Sequence, residues 1–153
     1  MASRVDYRVG DAQNLPFNEG EFDVAAMALA ITFVPDRAKA VAEMKRVVRQ
    51  GGTVATYMWD LPGRATTQQP MIDALEGMGV ELRRPPAHQD SRIDVLSGLF
   101  DAGGLKDVAS RSIEIQATFK DFDEYWASQT GLTNNCEPAW NIDPLAGVIG
   151  VQY

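Results

Sequence analysis

The stretch from Val5 to Asp60 limits the possible folds of this chain more than any other part of the sequence. Residues 5–9 alternate apolar and polar side chains and stop at Gly10, which predicts a short strand. Residues 22–29 are almost wholly apolar, a pattern typical of a parallel strand whose two faces are both covered. Two strands are therefore predicted before the first helical pattern.

A helix and a third strand follow. Asp36 is the predicted N-cap, apolar residues recur behind it at helical spacing, and Gly51 fits the left-handed residue that closes a helix. Thr53 to Trp59 is rich in residues that favour strands. Strands that alternate with a helix predict an α/β fold with a parallel sheet, and in such sheets ligands bind beyond the carboxyl ends of the strands.

The rest of the chain is predicted to contain three helices and one strand. The helices begin near Pro70, Ser91 and Asp121, where proline, serine and aspartate precede apolar residues at helical spacing. Ile113, Ile115, Ala117 and Phe119 alternate with polar residues, which predicts a strand at about residues 108–117 with one solvated face.

Composition and charge narrow the class of protein. The 153 residues suit one domain, and 45% hydrophobic with 23% charged residues is ordinary for a globular chain. A net charge of -7 argues against an extended basic face for nucleic acid. With one cysteine (Cys136) and one histidine (His88), no metal site built on those residue types is expected. No run approaches the length of a membrane helix, and a cytoplasmic location is expected.

Three segments carry a family resemblance when they are taken together in this order and spacing. They are Gly10-Asp11-Ala12-Gln13-Asn14-Leu15-Pro16-Phe17 with residues 20–24, then residues 29–36, then residues 43–52. The set resembles the middle of a class I S-adenosylmethionine-dependent methyltransferase, of the small-molecule type that includes the ubiquinone/menaquinone methyltransferases. The resemblance covers roughly residues 3–128.

The resemblance implies a Rossmann-like methyltransferase sheet with the family strand order 3-2-1-4-5-7-6. The chain keeps family strands 3, 4, 5 and 6, at residues 5–9, 24–28, 53–59 and about 108–117. The family's glycine-rich loop and its ribose-binding acidic residue have no counterpart in this sequence. The expected sheet is therefore incomplete.

An incomplete sheet has structural consequences. Only family strands 4 and 5 keep each other as neighbours, so we expect that pair to be intact and the outer strands to be re-paired, displaced or poorly held. Exposed sheet edges of this kind favour self-association. Residues 1–130 are expected to form a partial methyltransferase domain of a truncated chain, and residues 131–153, which show no useful periodicity, are unassigned.

The resemblance also implies which residues bind S-adenosylmethionine. The carboxylate of Asp11 would accept a hydrogen bond from the adenine amino group, and the backbone N–H of Ala12 would face a ring nitrogen. Leu15 and Phe17 would form an apolar wall for the adenine, and the backbone of Ala28 would approach the methionine part. From the residues alone, a turn cap after the strand is the simpler role for Asp11.

Thr32, Phe33 and Asp60 are the candidates for the substrate side. Thr32 and Phe33 replace a histidine-containing pair that is common in relatives, and Asp60 would serve as a base or a substrate anchor. The alternative for Asp60 is a solvated loop residue, and His88 is expected at the surface. No catalytic residue is assigned, because a sulfonium methyl donor is already activated and positioning supplies much of the catalysis.

The predicted function is S-adenosylmethionine-dependent methyl transfer to a small-molecule acceptor, as part of a complete domain. The chain alone is expected to be inactive or nearly so, because the glycine-rich cofactor loop is missing. The alternative from another class is a non-catalytic methyltransferase-like remnant that acts through subunit association. A nicotinamide-dependent dehydrogenase shares the alternation of strands and helices, but no catalytic Ser/Tyr/Lys set can be placed for it.

Overall fold

The computed structural model describes residues 5–63, 66–82, 87–131 and 147–152. The first elements are β1 (Val5–Gly10), β2 (Phe22–Ala28), α1 (Arg37–Val47) and β3 (Val48–Tyr57). They are followed by α2 (Gln69–Gly77), α3 (Ile93–Ala102), α4 (Phe122–Gly131) and β4 (Gly147–Gln152). Two short 3-10 turns, Ile31–Phe33 and His88–Ser91, lie after β2 and before α3.

β2 and β3 form a parallel two-stranded sheet and are connected by α1. Their register runs from Val24 opposite Thr53 to Ala28 opposite Tyr57. Because the chain leaves β2, enters α1 and returns into β3, the first turn of α1 lies at the carboxyl edge of this sheet and its last turn at the amino edge. The α/β class and the intact central strand pair are therefore confirmed.

α1 packs on the sheet with the face that the sequence predicts. Ala40, Val41, Met44 and Val47 are each at most 3% exposed. The helix ends at Val47, so the prediction that Gly51 closes it is wrong in position. Gly51 does have the predicted left-handed conformation, with φ of 78°, but it lies inside β3.

Asp36 caps α1 as predicted, because its Oδ1 accepts the N–H of Lys39 at 2.9 Å. The variant Asp36→Ala leaves that helix-end donor without this acceptor, and we expect the free energy of unfolding to fall by about 1 kcal/mol in urea denaturation. Asp36→Asn keeps an acceptor oxygen and is the matched control. Equal losses in the two variants would contradict the role of this oxygen.

β1 pairs with β4 in a second, antiparallel sheet, whose register runs from Val5 opposite Gln152 to Gly10 opposite Gly147. The first predicted strand therefore forms, and it is re-paired as expected for an outer strand. Its partner is a strand that the sequence did not indicate. Gly147 and Gly150 interrupt the apolar alternation of that segment, which weakens the strand signal.

The predicted strand over residues 108–117 is wrong. These residues have no strand conformation, and every side chain from Ala109 to Thr118 is exposed. Ile113 and Ile115 are 69% and 64% exposed. An alternating segment becomes a strand only when a neighbour satisfies its backbone groups, and no neighbouring strand lies beside it in the described part of the chain.

The helices predicted near Pro70, Ser91 and Asp121 are present as α2, α3 and α4. The sequence Asp121-Phe-Asp-Glu124 resembles a capping box, and the structure has one of its two bonds, because Oδ1 of Asp121 accepts the N–H of Glu124 at 2.9 Å. The second bond of a capping box would run from the N–H of Asp121 to the Glu124 carboxylate. In the structure Oε2 of Glu124 accepts the N–H of Lys120 instead.

Among the residues that the structure describes, the β2–β3 sheet is covered on one face only, so the prediction that both faces of β2 are covered is wrong. Ala25 and Val54 pack against a buried cluster that contains Phe17 and Val47. On the opposite face, Val24 and Tyr57 are 57% and 60% exposed. α1 with the loop before β2 supplies the single covering layer.

Candidate functional site

The carboxyl edge of the β2–β3 sheet has an unusual backbone turn. The N–H of Leu29 donates to the carbonyl oxygen of Tyr57 at 2.9 Å. Leu29 has φ of 52°, a left-handed conformation that is strained for a leucine. The chain turns away from the sheet at this residue, directly after Ala28, which is exposed. An exposed alanine at the end of a parallel strand leaves room for a ligand beside the backbone.

The loop after β1 runs along α1 from the carboxyl edge to the amino edge of the sheet. Oε1 of Gln13 accepts the N–H of Asp36, at the first turn of α1, at 3.1 Å. The N–H of Gly20 donates to the carbonyl oxygen of Arg46, in the last turn of α1, at 2.9 Å. The start of this loop therefore lies at the carboxyl edge.

Asp11 and Ala12 open this loop and so share the carboxyl edge with Ala28. Asp11 forms an isolated β-bridge with Asn14. Oδ1 of Asp11 accepts two hydrogen bonds from Gln13, one from the backbone N–H at 2.8 Å and one from the side-chain Nε2 at 3.1 Å. Both hydrogen bonds described for the carboxylate use Oδ1. None of the hydrogen bonds described in this turn uses the N–H of Ala12.

The hydrogen bonds from Gln13 lower the pKa of Asp11, the backbone bond most and the side-chain bond next, and the charge of Lys39 acts in the same direction. Asp11 is therefore an anion at neutral pH. An ionised carboxylate only accepts hydrogen bonds, so its second oxygen suits a donor such as an exocyclic amine. Asp11 therefore caps the turn after β1, and the two hydrogen bonds of this cap use only one of its carboxylate oxygens.

An ion pair on α1 fixes the middle of the same loop. Oε2 of Glu43 accepts the N–H of Leu15 at 2.8 Å. Arg46 donates to the carbonyl oxygen of Phe17 at 2.8 Å and to that of Leu15 at 3.0 Å. Glu43 and Arg46 are joined by two hydrogen bonds of 2.7 Å. We call these four residues the loop latch.

Sequence reasoning missed the loop latch, because helical periodicity places Glu43 on the polar face of α1 and assigns it no partner. A signal was available in the loop itself. A proline-containing loop has backbone groups that need partners, and two ionised side chains one helical turn apart can supply them.

The two residues predicted to form the adenine wall differ in burial. Phe17 is buried and meets Phe22 edge to face at 4.9 Å between ring centroids, whereas Leu15 is half-buried. Phe17 is therefore largely closed to a ligand, and the contact of Leu15 with an adenine stays a prediction.

The loop latch makes stability depend on pH. Hydrogen bonds from Arg46, and then the N–H of Leu15, lower the pKa of Glu43 below its ordinary 4.5. Such a carboxyl stabilises the fold above its unfolded-state pKa and loses that contribution as the pH falls through the lower folded-state pKa. We expect Glu43→Gln to unfold at less urea than the unchanged protein at neutral pH. The difference should shrink in acid.

Glu114 is exposed and lies outside the loop latch, so Glu114→Gln is the matched control for this prediction. It should leave the urea midpoint nearly unchanged at both pH values. A stability difference for Glu43→Gln that stays constant with pH would contradict the ionic part of the latch.

The three substrate-side candidates lie after β2 and β3, at the carboxyl edge. Thr32 is only 1% exposed, and its hydroxyl donates to Sδ of Met58 at 3.9 Å. Phe33 is half-buried, and Asp60 is exposed with its Oδ1 accepting the N–H of Gly63 at 2.9 Å. Their contact with a substrate stays a prediction, and the Thr32 hydroxyl already has a partner inside the protein.

The turn His88–Ser91 packs against the same edge. Oγ of Ser91 accepts the N–H of Leu61 at 3.1 Å and donates to the carbonyl oxygen of His88 at 2.9 Å. Asp90 forms an ion pair with Arg37, the first residue of α1. His88 is half-buried rather than fully at the surface. These contacts hold the loops after β2 and β3 together.

The part of the chain that the structure describes contains no group of three or more His, Cys, Asp or Glu residues that could hold a metal ion. None of the helices within the described ranges is both long and apolar enough to cross a membrane.

Comparison with known proteins connects this edge to one family. Residues 1–56 match the family described as Methyltransferase domain. That stretch contains β1, β2, α1 and nearly all of β3, and with them Asp11, Ala12, Leu15 and Ala28.

Individual relatives extend the match. Rv1405c, an uncharacterized protein of Mycobacterium tuberculosis (strain H37Rv), is 39% identical over 136 residues, which are 88% of this chain and 47% of the relative. The ubiquinone/menaquinone biosynthesis C-methyltransferase UbiE of Geobacter sp. (strain M21) is 29% identical over 119 residues, 70% of this chain and 51% of the relative. A demethylmenaquinone methyltransferase of Desulfitobacterium hafniense is 44% identical over 54 residues, 35% of this chain and 21% of the relative.

These matches confirm the resemblance to class I S-adenosylmethionine-dependent methyltransferases that the sequence motifs indicate. The chain spans about half the length of the first two relatives. The edge that carries Asp11 and Ala28 lies within the stretch that matches the Methyltransferase domain family.

Proposed function

We propose that this chain serves S-adenosylmethionine-dependent methyl transfer to a small-molecule acceptor, as part of a complete methyltransferase domain. Asp11, Ala12, Leu15 and Ala28 bind the cofactor in this proposal, and Thr32, Phe33 and Asp60 lie on the substrate side. The small-molecule acceptor is supported by relatives named as ubiquinone/menaquinone and demethylmenaquinone methyltransferases. A chain that spans about half the length of such relatives is expected to bind the cofactor more weakly than they do.

One observation carries the proposal. The tip of β1 and the end of β2 lie at the same edge, and the described hydrogen bonds of Asp11 use a single carboxylate oxygen. An adenine presents an exocyclic amine beside a ring nitrogen, which is a donor next to an acceptor. The Asp11 carboxylate followed by the Ala12 N–H offers an acceptor next to a donor. The residues therefore fit the adenine end of the cofactor.

The chain's own residues supply binding and orientation in this mechanism. When bound, S-adenosylmethionine supplies a methyl group already activated on a sulfonium, so alignment with the acceptor provides much of the rate. Asp11 and Ala12 fix the base, Leu15 covers one side of it, and the turn at Leu29 opens space beside the Ala28 backbone. No residue of this chain is assigned to proton transfer.

A titration of the nitrogen-15-labelled chain with S-adenosylmethionine, followed by amide resonances, tests the proposal. We expect binding weaker than micromolar, with shifts concentrated at Asp11, Ala12, Leu15 and Ala28. Asp23→Asn, at the amino edge of β2, is the control and should bind as the unchanged chain does. Shifts confined to the amino edge, or no shifts at millimolar ligand, would contradict the assignment. Micromolar binding would contradict the expected weakness of the isolated chain.

The alternative, a non-catalytic remnant that acts through subunit association, is not favoured, because two of the relatives above are named as methyltransferases. Self-association, which the sequence analysis expects through exposed sheet edges, is a separate proposal. It is supported by the bare sheet face with Val24 and Tyr57. Light scattering over a range of concentrations tests it, since a mass that stays at one chain would exclude it.

A further inference from the structure

Gln13 is the residue through which the Asp11 carboxylate is connected to the rest of the fold. Its side-chain amide makes two described bonds, donating through Nε2 to Oδ1 of Asp11 and accepting through Oε1 from the N–H of Asp36. Its backbone N–H donates to the same Oδ1. One side chain therefore contacts both the tip of β1 and the N-terminus of α1.

We propose that Gln13 is the positioning residue of the adenine subsite: by holding Oδ1 of Asp11 from two directions and fastening the tip to α1, it presents Oδ2 to the ligand. This inference rests on the proposed function for its ligand, but the geometry that it describes exists in the free chain. Gln13 itself does not touch the adenine. Gln13 determines which of the two Asp11 carboxylate oxygens faces the adenine.

The chemistry of the amide explains why this residue type fits the position. The site needs a donor toward Asp11 and an acceptor toward the Asp36 N–H, and a glutamine side chain ends in both. A glutamate would keep the acceptor but place a second carboxylate beside Asp11. A methionine would keep the length of the side chain and lose both bonds.

The first test needs no ligand. The carboxyl carbon of Asp11 is followed by NMR as a function of pH in the unchanged chain, Gln13→Met, Gln13→Glu and the control Gln89→Met. Gln89 is an exposed residue of the turn before α3. Amide resonances of β2 report whether each variant is folded. The charge of Lys39 on α1, which also acts on Asp11, is the same in all four proteins.

The expected result is a graded rise in the pKa of Asp11. Gln13→Met removes the side-chain bond and keeps the backbone N–H, so the pKa moves part of the way toward its ordinary value. Gln13→Glu should raise it further, because a second negative charge disfavours the ionised form. Gln89→Met should leave it unchanged. An Asp11 titration that is the same in Gln13→Met and Gln89→Met would overturn the proposal.

The second test separates this inference from the proposed function. Adenosine should bind Gln13→Met about two- to tenfold more weakly than the unchanged chain, the equivalent of one ordinary hydrogen bond. If Asp11→Asn weakens adenosine binding and Gln13→Met does not, the positioning role fails and the proposed function stands. If the Gln13 substitutions change the pKa of Asp11 but adenosine does not bind the unchanged chain, the proposed function fails. Only the arrangement of Gln13, Asp11 and Asp36 then stands.

Discussion

Replacing Ile31 with alanine is expected to lower the free energy of unfolding by about 2–5 kcal/mol, as large-to-small changes in a tightly packed site do. Ile31 is 0% exposed and lies in the short turn between Ala28 and α1. It is one of few fully buried large side chains in the described part of the chain, so a cavity there has little other core to compensate for it. Urea denaturation measures the change.

The control for this prediction is the same chemical change at Ile113, which is 69% exposed. Ile113→Ala should change the free energy of unfolding by no more than about 0.5 kcal/mol. Amide resonances of Leu29 and Thr32 should shift in Ile31→Ala, because the turn that this side chain anchors forms the carboxyl edge. Similar effects of the two substitutions would show that Ile31 does not anchor that turn.

Replacing Gly52 with alanine is expected to lower the free energy of unfolding by about 3 kcal/mol or more, because the new methyl group would meet backbone atoms that cannot turn away. An ideal Cβ on Gly52 would lie 2.5 Å from the carbonyl oxygen of Asp23 and 3.0 Å from that of Arg49, and it would also overlap Cγ1 of Val48. β2 and β3 would have to separate where their register shifts between Phe22 and Val24.

Gly98→Ala is the matched control for Gly52→Ala. A Cβ on Gly98 would meet nothing within 4 Å, and the residue lies inside α3. Alanine is a better helix former than glycine there, so this variant should be more stable by up to about 1 kcal/mol. The two glycine substitutions are thus expected to have opposite signs. Destabilisation of equal size in both would show that the contacts of Gly52 are not the cause.

Local patterns and chain connectivity were sufficient to predict the part of the fold that carries the site. The apolar run of β2, the cap at Asp36 and the helical spacing behind it define a strand, a helix and a return strand, and that order places the end of β2 and the start of α1 at one edge. The placement of Asp11 and Ala28 at the carboxyl ends of their strands followed from the strand pattern, and only their cofactor roles came from the resemblance. The structure agrees with that placement through the bond between Gln13 and Asp36.

Long-range pairing is the part that the sequence did not reveal. Ile113 and Ile115 alternate with polar residues as strand residues do, but a strand also requires a partner that no local pattern specifies. β4, conversely, forms opposite β1 from a segment with two glycines and little alternation. Which strands pair is decided by the whole chain.

The side-chain hydrogen bonds that hold the loop after β1 could not be predicted from the sequence pattern either. Gln13, Glu43 and Arg46 are polar residues whose partners depend on how that loop lies on α1. Once the loop is in place, their bonds follow from the need to satisfy Leu15, Phe17 and Asp36 backbone groups. The candidate site was therefore predictable in its position and not in the contacts that orient it.

The central claim is that the Asp11 carboxylate receives the amine of an adenine through Oδ2. NMR titrations of the unchanged chain and of Asp11→Asn with adenosine and with purine riboside, which lacks the amine and keeps the ring nitrogen as an acceptor, test it most directly. The unchanged chain should prefer adenosine by roughly tenfold, the worth of a hydrogen bond to a charged group. In Asp11→Asn the Gln13 donors keep the oxygen on their side and an N–H₂ group faces the amine of adenosine, so the preference for adenosine should be lost. Equal affinities of the unchanged chain for the two nucleosides, or no binding of either, would contradict the account.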